Sequence, residues 1–210
     1  MTLLDISMPL RPGMPVYAGN PPYERRVTHV LGKDGAPCNQ SSFSFGAHCG
    51  THVDAPRHFE ADGYATDRVP LDHLVGPARV VHVPEADFVD LAHLEELDWT
   101  GVERVLFRTR NSEHWKAGGG FDPKYCYLSG PAARFLAAKK MKLVGIDALG
   151  VEQFGVKDFV THHALLRHGI TVLEGLCLAD VAPGDYTLFC GMLRVEGGDG
   201  APARALLLKP

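Results

Sequence analysis

The chain has 210 residues, a formal net charge of −4 and 45% hydrophobic residues, the composition of an ordinary globular protein. This length predicts a single domain over residues 1–210, which would bury roughly 70% of the surface of the unfolded chain. The slight acidic excess argues against a nucleic-acid-binding protein, and no apolar run reaches the ~18 residues of a membrane-spanning helix.

The predicted elements are short in the amino-terminal quarter, where proline and glycine interrupt the chain repeatedly. The predicted strands are apolar or alternating segments at residues 3–6, 26–31, 41–47, 78–83, 104–109, 142–147, 170–173, 186–193 and 203–208. The predicted helices follow capping residues or precede a glycine and lie at residues 90–97, 129–140 and 158–168. Strands and helices alternate in the middle of the chain, which predicts an α/β fold with a mixed sheet and flanking helices.

Two glycine-rich runs stand between predicted elements. Residues 118–120 are predicted to form a flexible tip, and residues 197–200 a hairpin loop. A phosphate-binding loop is the alternative, but neither run fits the spacing of a nucleotide-binding motif. Both runs are therefore interpreted as turns.

The five cysteines form no CxxC pair, and the amino-terminal residues lack the basic and long apolar regions of a secretory signal. These features predict free thiols in a reducing compartment, the cytoplasm. Cys49 could also be an attacking thiolate. A buried, structural role is preferred for Cys49, because alternation along an extended segment points its side chain away from His48.

Histidine is the unusual residue of this sequence, and three of its eleven copies fall in residues 48–59, HCGTHVDAPRHF. Pro56 disfavours a continuous helix here, so a loop leaving a strand is predicted. In an extended backbone His52 and Asp54 share one face, and Gly50 allows a turn that brings His48 to the same point. Imidazole and carboxylate together suit Zn²⁺, Mn²⁺ or Fe²⁺, whereas the alternative is a polar loop whose histidines only form hydrogen bonds.

A second cluster lies about a hundred residues further along the chain. On a helix over residues 158–168, His162 and His163 point about 100° apart, so only one of them is expected to bind a metal. His163 and His168 are interpreted as surface residues near a helix end. Glu174 follows an apolar strand, and a buried carboxylate needs a partner that a metal would supply.

The segment over residues 48–59 resembles the HxGTHxDAPxHF signature of the cyclase-like metal-dependent hydrolases, a family that includes bacterial kynurenine formamidases (arylformamidases) and isatin hydrolases. Further segments resemble this family nearly from end to end, at residues 4–10, 12–17, 145–147, 162–170, 173–176 and 183–186. The resemblance implies a swivelling β/β/α fold, a homodimer or higher homo-oligomer, and a centre of one or two divalent metal ions, with Zn or Mn preferred.

The resemblance also implies roles for particular residues. The implied metal ligands are His48, His52, Asp54, His162 and Glu174, with the two carboxylates bridging two ions. His58 is implied as the catalytic acid/base, although it could instead be a ligand. Tyr17 is implied to stack on the substrate, at a position where the formamidases usually have Trp.

The expected function is metal-dependent hydrolysis of the C–N bond of a small aromatic or cyclic amide, with an N-formylkynurenine-like aryl formamide as the first choice. A divalent ion activates water and polarises the carbonyl, and a histidine near its ordinary pKa can move the proton. The alternatives are hydrolysis of isatin-type lactams or other small cyclic carbonyl compounds, and a metal-dependent small-molecule binding protein without turnover. A serine hydrolase is disfavoured, because the sequence has no GxSxG motif.

Overall fold

A computed structural model describes residues 2–209 of the chain. The strands are β1 (Thr2–Asp5), β2 (Glu24–His29), β3 (Gln40–Ser44), β4 (His52–Asp54), β5 (Val75–Val83), β6 (Phe88–Val89), β7 (Arg104–Thr109), β8 (Tyr127–Leu128), β9 (Leu143–Ile146), β10 (Thr171–Glu174), β11 (Gly184–Met192) and β12 (Gly200–Lys209). The α-helices are α1 (Leu71–Leu74), α2 (Arg110–Lys116), α3 (Gly130–Ala138) and α4 (Val160–Leu166). None of the helices in residues 2–209 has the length and hydropathy needed to cross a membrane.

The central sheet has eight strands in the order β1-β12-β11-β5-β7-β9-β10-β4. Strands β5, β7, β9 and β10 are parallel, and the remaining pairs of this sheet are antiparallel, so the predicted mixed sheet is confirmed. The first residues of β12 also pair with β4, with Gly200 opposite Asp54 and Pro202 opposite His52. This additional pairing closes the sheet on itself and brings β4, β10 and β12 together.

Alternating side chains of the sheet enter two separate cores. Leu106 and Leu173 point into the interior of the closed sheet, whereas Phe107 and Val172 face the helices, because successive side chains of a strand lie on opposite faces. Strands β9 and β10 are buried along their whole length, as expected of apolar parallel strands covered on both faces. Leu136 of α3 and Leu165 of α4 complete the outer core.

Most predicted strands coincide with observed ones, but the prediction of a helix over residues 90–97 is wrong. The structure has one 3-10 turn there, Leu91–His93, capped by Asp90. The predicted helix over residues 129–140 ends at Ala138, and Lys140 adopts a left-handed φ of 58°. The helix predicted over residues 158–168 is confined to α4, which follows a left-handed Phe159. Helices α1 and α2 and strands β4, β6 and β8 are additions that the sequence patterns did not predict.

Strands β2 and β3 form a separate two-stranded hairpin. Every residue of β2 is exposed, and Phe43 on β3 is 61% exposed, although its ring stacks on Tyr23. Val27 and Phe43 lie on one face of this ribbon, since Arg25 pairs with Phe43 and Val27 pairs with Ser41. The hairpin therefore presents apolar side chains outside both cores.

Candidate metal centre and substrate cavity

Strand β4 presents His52 and Asp54 on the same face, as their spacing predicts, and both side chains are fully buried. The chain reaches β4 through Gly50, whose φ is 63°, and this turn brings His48 beside Asp54. The Nδ1–H of His52 donates to the carbonyl oxygen of Gly50 at 2.9 Å. Because Nδ1 is used in this way, Nε2 of His52 is the nitrogen that faces the carboxylates.

Glu174 ends strand β10 directly opposite His52 of β4. Its Oε2 lies 3.2 Å from His52 Nε2, and its Oε1 accepts the backbone N–H of Val151 at 2.5 Å. The following residue is Gly175, with a φ of 68°, and a Cβ there would lie 2.1 Å from the carbonyl oxygen of Gly50. Only glycine therefore allows the two chain segments to approach closely enough for Glu174 to join the cluster.

Helix α4 contributes His162, whose Nε2 lies 3.7 Å from Asp54 Oδ2 and 3.5 Å from Glu174 Oε1. The Nδ1 atom of the same ring lies 3.5 Å from Glu152 Oε2. Glu152 also accepts the backbone N–H groups of Thr161 and His162, so it fixes the first turn of the helix against the site. The signal for Glu152 in the sequence was weak, because an acidic residue in a loop is common.

His48 and His58 stack on each other at the edge of the cluster, with ring centroids 4.0 Å apart. His48 Nδ1 lies 2.7 Å from Asp54 Oδ1, and His48 Nε2 lies 2.8 Å from Asp199 Oδ2. The same Asp199 oxygen lies 3.6 Å from His58 Nδ1. The sequence patterns missed Asp199, because residues 197–200 were interpreted only as a turn.

The buried acids and imidazoles shift each other's pKa values strongly. Burial by itself lowers the pKa of His52, but the Asp54 and Glu174 carboxylates outweigh it and raise the pKa to about 10. His162 shows the same balance and has a pKa of about 9, owing to Glu152, Glu174 and Asp54. Burial raises the pKa of Glu174, yet His162 and His52 bring it down to about 2. The carboxylates are thus held in their ionised form.

The donor atoms of this cluster fit a divalent metal ion. His52 Nε2 and Asp54 Oδ2, which face the centre of the cluster, are buried without a hydrogen-bond partner, and such an atom typically costs about 1–3 kcal/mol. Two groups of residues, His52 with Asp54 and Glu174, and His48 with Asp54 and His58, each bring three donor atoms within 4.8 Å of one another. Nitrogen and oxygen donors suit Zn²⁺, Mn²⁺ and similar ions, and Asp54 belongs to both groups, as a bridging carboxylate would.

A cavity of about 220 Å³ opens directly above this cluster. Its walls include the rings of Tyr17, Phe59, Tyr125 and Phe159, and its floor includes His52, His162 and Glu174. The half-buried Tyr17 is supported from behind by Phe121 and Phe154, with ring centroids 5.4 and 5.7 Å away. The cavity therefore combines an aromatic wall with a polar floor.

The residues interpreted as structural in the sequence lie away from the donor atoms. Cys49 is buried against Met14, with sulfur atoms 3.9 Å apart, and burial raises the pKa of its thiol. His163 contacts Glu60 at 2.6 Å, and His168 contacts the carbonyl oxygen of Ala164. All five cysteines are free, and Cys49 has none of the features of an activated thiolate.

Comparison with known proteins gives the family. A family model described as "Putative cyclase" matches residues 4–153, so the chain belongs to the Cyclase family, and the predicted resemblance is confirmed. The chain is 40% identical over 208 residues to a kynurenine formamidase of Salinibacter ruber. The aligned region covers 99% of this chain and 97% of that protein.

Solved structures agree with this assignment. A structure described as a "potential metal-dependent hydrolase with cyclase activity" superimposes with a TM-score of 0.85 at 33% identity and covers 100% of this chain and 99% of that chain. Isatin hydrolase A of Labrenzia aggregata has a TM-score of 0.84 at 22% identity, covering 100% and 94%, which shows a common fold. The expected cyclase-like fold is therefore confirmed.

The contact between Gly175 and Gly50 gives a testable prediction. We expect Gly175→Ala to lower the free energy of unfolding by about 2–5 kcal/mol, because the added Cβ combines left-handed strain with a steric clash. Urea unfolding measures this loss. Gly155→Ala is the matched control, since Gly155 has a φ of 81° but nothing within 4 Å, and it should cost only about 1–2 kcal/mol. Equal losses in the two variants would contradict the close approach.

Proposed function

We propose that this protein is a metal-dependent hydrolase that cleaves the C–N bond of a small aryl formamide, with an N-formylkynurenine-like compound as the first-choice substrate. The observation that carries the proposal is the pair of unpartnered buried donors, His52 Nε2 and Asp54 Oδ2, in the cluster beneath an aromatic-walled cavity. Similarity to a kynurenine formamidase over 99% of the chain supports the same reaction class.

The residues proposed to hold the metal are those that meet around Asp54. His48, His52, Asp54, His162 and Glu174 would be the ligands of one or two ions, with Asp54 and Glu174 bridging if there are two. A divalent ion bound there would lower the pKa of water to about 7 and polarise a carbonyl. We propose Zn or Mn as the native ion, on the basis of the nitrogen and oxygen donors.

His58 is proposed as the acid/base of the reaction. Its ring lines the cavity, its side chain is 27% exposed, and it stacks on His48. In hydrolysis, the oxygen of water bonds to the formyl carbon while the bond from that carbon to the aryl nitrogen breaks. His58 would take the proton that water loses and return it to the leaving nitrogen, so that formate and an arylamine are released.

The cavity wall supports an aromatic substrate. Tyr17 and Tyr125 are held in place by other rings and by a hydrogen bond, because the Tyr125 hydroxyl donates to the carbonyl oxygen of Glu152 at 2.6 Å. A flat ring entering a volume of about 220 Å³ would stack on Tyr17 and present its amide to the floor. The isatin-type lactam is the competing substrate, since it is also flat and aromatic.

The reaction is tested with ligand and acid/base variants in one experiment. We expect His52→Ala and Asp54→Ala each to lose bound metal and all hydrolysis, because each removes a buried donor. His58→Ala should keep its metal but lose activity by about 10²- to 10⁴-fold, the usual contribution of acid/base catalysis. Elemental analysis and a hydrolysis screen of formyl-arylamines, isatin-type lactams and lactones provide the readouts, with His168→Ala as the control.

Each outcome of this screen separates the candidate functions. Faster hydrolysis of isatin-type lactams than of formyl-arylamines would replace the proposed substrate. A wild-type protein that binds metal but turns over no compound of the panel would indicate a binding protein. Retained metal in both His52→Ala and Asp54→Ala would refute the ligand assignment, and metal loss in His58→Ala would make His58 a ligand instead.

The proposed stacking on Tyr17 has its own test. We expect Tyr17→Ala to raise KM for formyl-arylamines by about fivefold or more, since an aromatic contact contributes about 1 kcal/mol beyond the area it buries. The KM for small aliphatic formamides should change little. Tyr17→Phe retains the ring and should retain the KM of the wild type. Steady-state kinetics measure KM for both substrate series. An equal rise in KM for the aryl and the aliphatic formamides in Tyr17→Ala would contradict the stacking.

We also propose a homodimer or higher homo-oligomer in which the β2–β3 hairpin packs on a second copy of the chain. An isolated two-stranded ribbon is marginally stable, and this one exposes Val27 and Phe43. The accessible surface of 10744 Å² also exceeds the roughly 9,600 Å² expected of a compact monomer of this mass. The excess of about 1,100 Å² is enough for one side of a standard interface, about 800 Å².

Light scattering on the eluting protein tests this contact. We expect the wild type to elute as a dimer or larger assembly, and Val27→Asp combined with Phe43→Asp to shift it to the monomer mass, because charges there oppose burial. Leu71→Asp is the control, as Leu71 is 80% exposed and belongs to α1, which contacts β5 and β11. A monomeric wild type, or an unchanged assembly in the double variant, would refute the proposal.

The free thiols and the closed sheet support proposals for the cellular location and the domain count. We propose a cytoplasmic protein with one domain over residues 1–210. Five free thiols, of which Cys38 is exposed, are suited to a reducing compartment. Both of the main cores draw on strands from one closed sheet, which supports a single folding unit.

A further inference from the structure

Asp199 is an acidic residue at the site that the catalytic scheme above leaves without a role. It lies in the loop between β11 and β12, the glycine-rich run that the sequence presents only as a turn. Its side chain is 52% exposed, whereas that of His48, its partner at 2.8 Å, is only 17% exposed. The loop therefore carries a carboxylate from the surface onto the outer edge of the metal centre.

The loop around Asp199 is built to hold this position. The carbonyl oxygen of Asp199 accepts the backbone N–H of Ala55, next to Asp54, at 3.0 Å. The backbone N–H of Gly197 donates to Asp67 Oδ1 at 3.0 Å, and Thr66 bonds to the loop through both its N–H and its hydroxyl. These bonds tie both ends of the loop to the segments that follow the predicted ligands.

Glycine is required where the loop meets His48. A Cβ at Gly200 would lie 2.4 Å from Cε1 of the His48 ring, so only glycine lets the backbone approach this closely. Gly198 is confined in the same way, since a Cβ there would lie 2.6 Å from the hydroxyl of Thr66. Gly200 thus allows the chain to pack closely on the imidazole, and Gly198 allows the loop to pack closely on Thr66.

The two nitrogens of His48 face different carboxylates. Nδ1 points inward to Asp54 at 2.7 Å, and Nε2 points outward to Asp199 at 2.8 Å. A metal-binding imidazole usually donates its other N–H to an acceptor, and that acceptor decides which nitrogen is left to bind the ion. With Asp199 accepting from Nε2–H, Nδ1 is the nitrogen that faces the centre.

We infer that Asp199 is a positioning residue that fixes the tautomer and ring orientation of His48, so that Nδ1 of His48 binds the metal. The inference rests on the proposed metal centre of the hydrolase. Asp199 Oδ2 also lies 3.6 Å from Nδ1 of His58, which is stacked on His48, so one carboxylate borders both rings. His52 needs no such residue, because the carbonyl oxygen of Gly50 performs this task.

Metal affinity tests the inference without relying on catalysis. The affinity of the metal-free protein for Zn²⁺ is measured in competition with a chelating indicator for the wild type, Asp199→Ala and Asp199→Asn. Asp199→Ala should weaken binding by about 10- to 100-fold, the usual effect of removing such an acceptor. Asp199→Asn should lose less Zn²⁺ affinity than Asp199→Ala, because the carbonyl oxygen of the amide side chain can still accept a hydrogen bond from Nε2–H of His48. Asp67→Ala, which removes one anchor of the same loop but keeps the Asp199 carboxylate and the bonds of the loop to Thr66 and Ala55, is the control for loop damage.

A second readout identifies the metal-bound nitrogen directly. Long-range ¹H–¹⁵N spectra of zinc-loaded protein with labelled histidine should show His48 bound through Nδ1 and protonated at Nε2 in the wild type, and this signature should be lost or mixed in Asp199→Ala. Binding through Nε2 in the wild type would overturn the inference. An unchanged affinity in Asp199→Ala, or an equal loss in Asp67→Ala, would do the same. A wild type that binds no Zn²⁺ would instead refute the metal centre itself.

Discussion

The closed sheet and the cluster of buried histidines and carboxylates both depend on strand β4, which is three residues long and pairs with a strand on each side. Strand β4 pairs with β10 on one side, where Glu174 lies opposite His52. It pairs with β12 on the other side, where Pro202 lies opposite His52. A strand of this length has little stability alone, so its place is determined by these partners and by Val53, whose side chain enters the inner core. The same pairing closes the sheet and brings together donor atoms that are more than a hundred residues apart in the chain.

The closed sheet buries charges that weaken the metal-free protein. Asp54 and Glu174 are buried beside each other, and only the surrounding imidazoles keep their pKa values low. These two carboxylates repel each other, and their attraction to the imidazoles offsets at most part of the cost of removing the charges from water. An ion bound by the folded chain but not by the unfolded chain would restore that free energy through mass action. Closure of the sheet and binding of such an ion would thus stabilise each other.

The sequence pattern was sufficient to place His52 and Asp54 on one face, but it did not reveal strand β4 or the position of Asp199. His52 and Asp54 could be placed on one face because alternation along an extended backbone is independent of context. The position of β4 as a strand, in contrast, depends on pairing with residues far along the chain, which local patterns do not contain. Asp199 was missed for a related reason, since its neighbours have the composition of an ordinary turn and its meaning depends on the packing of Gly200 against His48.

The imidazoles and the aromatic wall derive from different parts of the fold, and this separates metal binding from substrate choice. His52 is oriented by a backbone carbonyl of its own turn, His48 by the β11–β12 loop, and His162 lies beside Glu152 at the start of α4. The residues that support Tyr17 come from connecting segments outside the sheet. Replacing rings in those segments would reshape the cavity without moving a strand. The cavity wall can therefore change through its connecting segments while the strands that hold the cluster stay constant, as is usual for sites built on loops over a rigid scaffold.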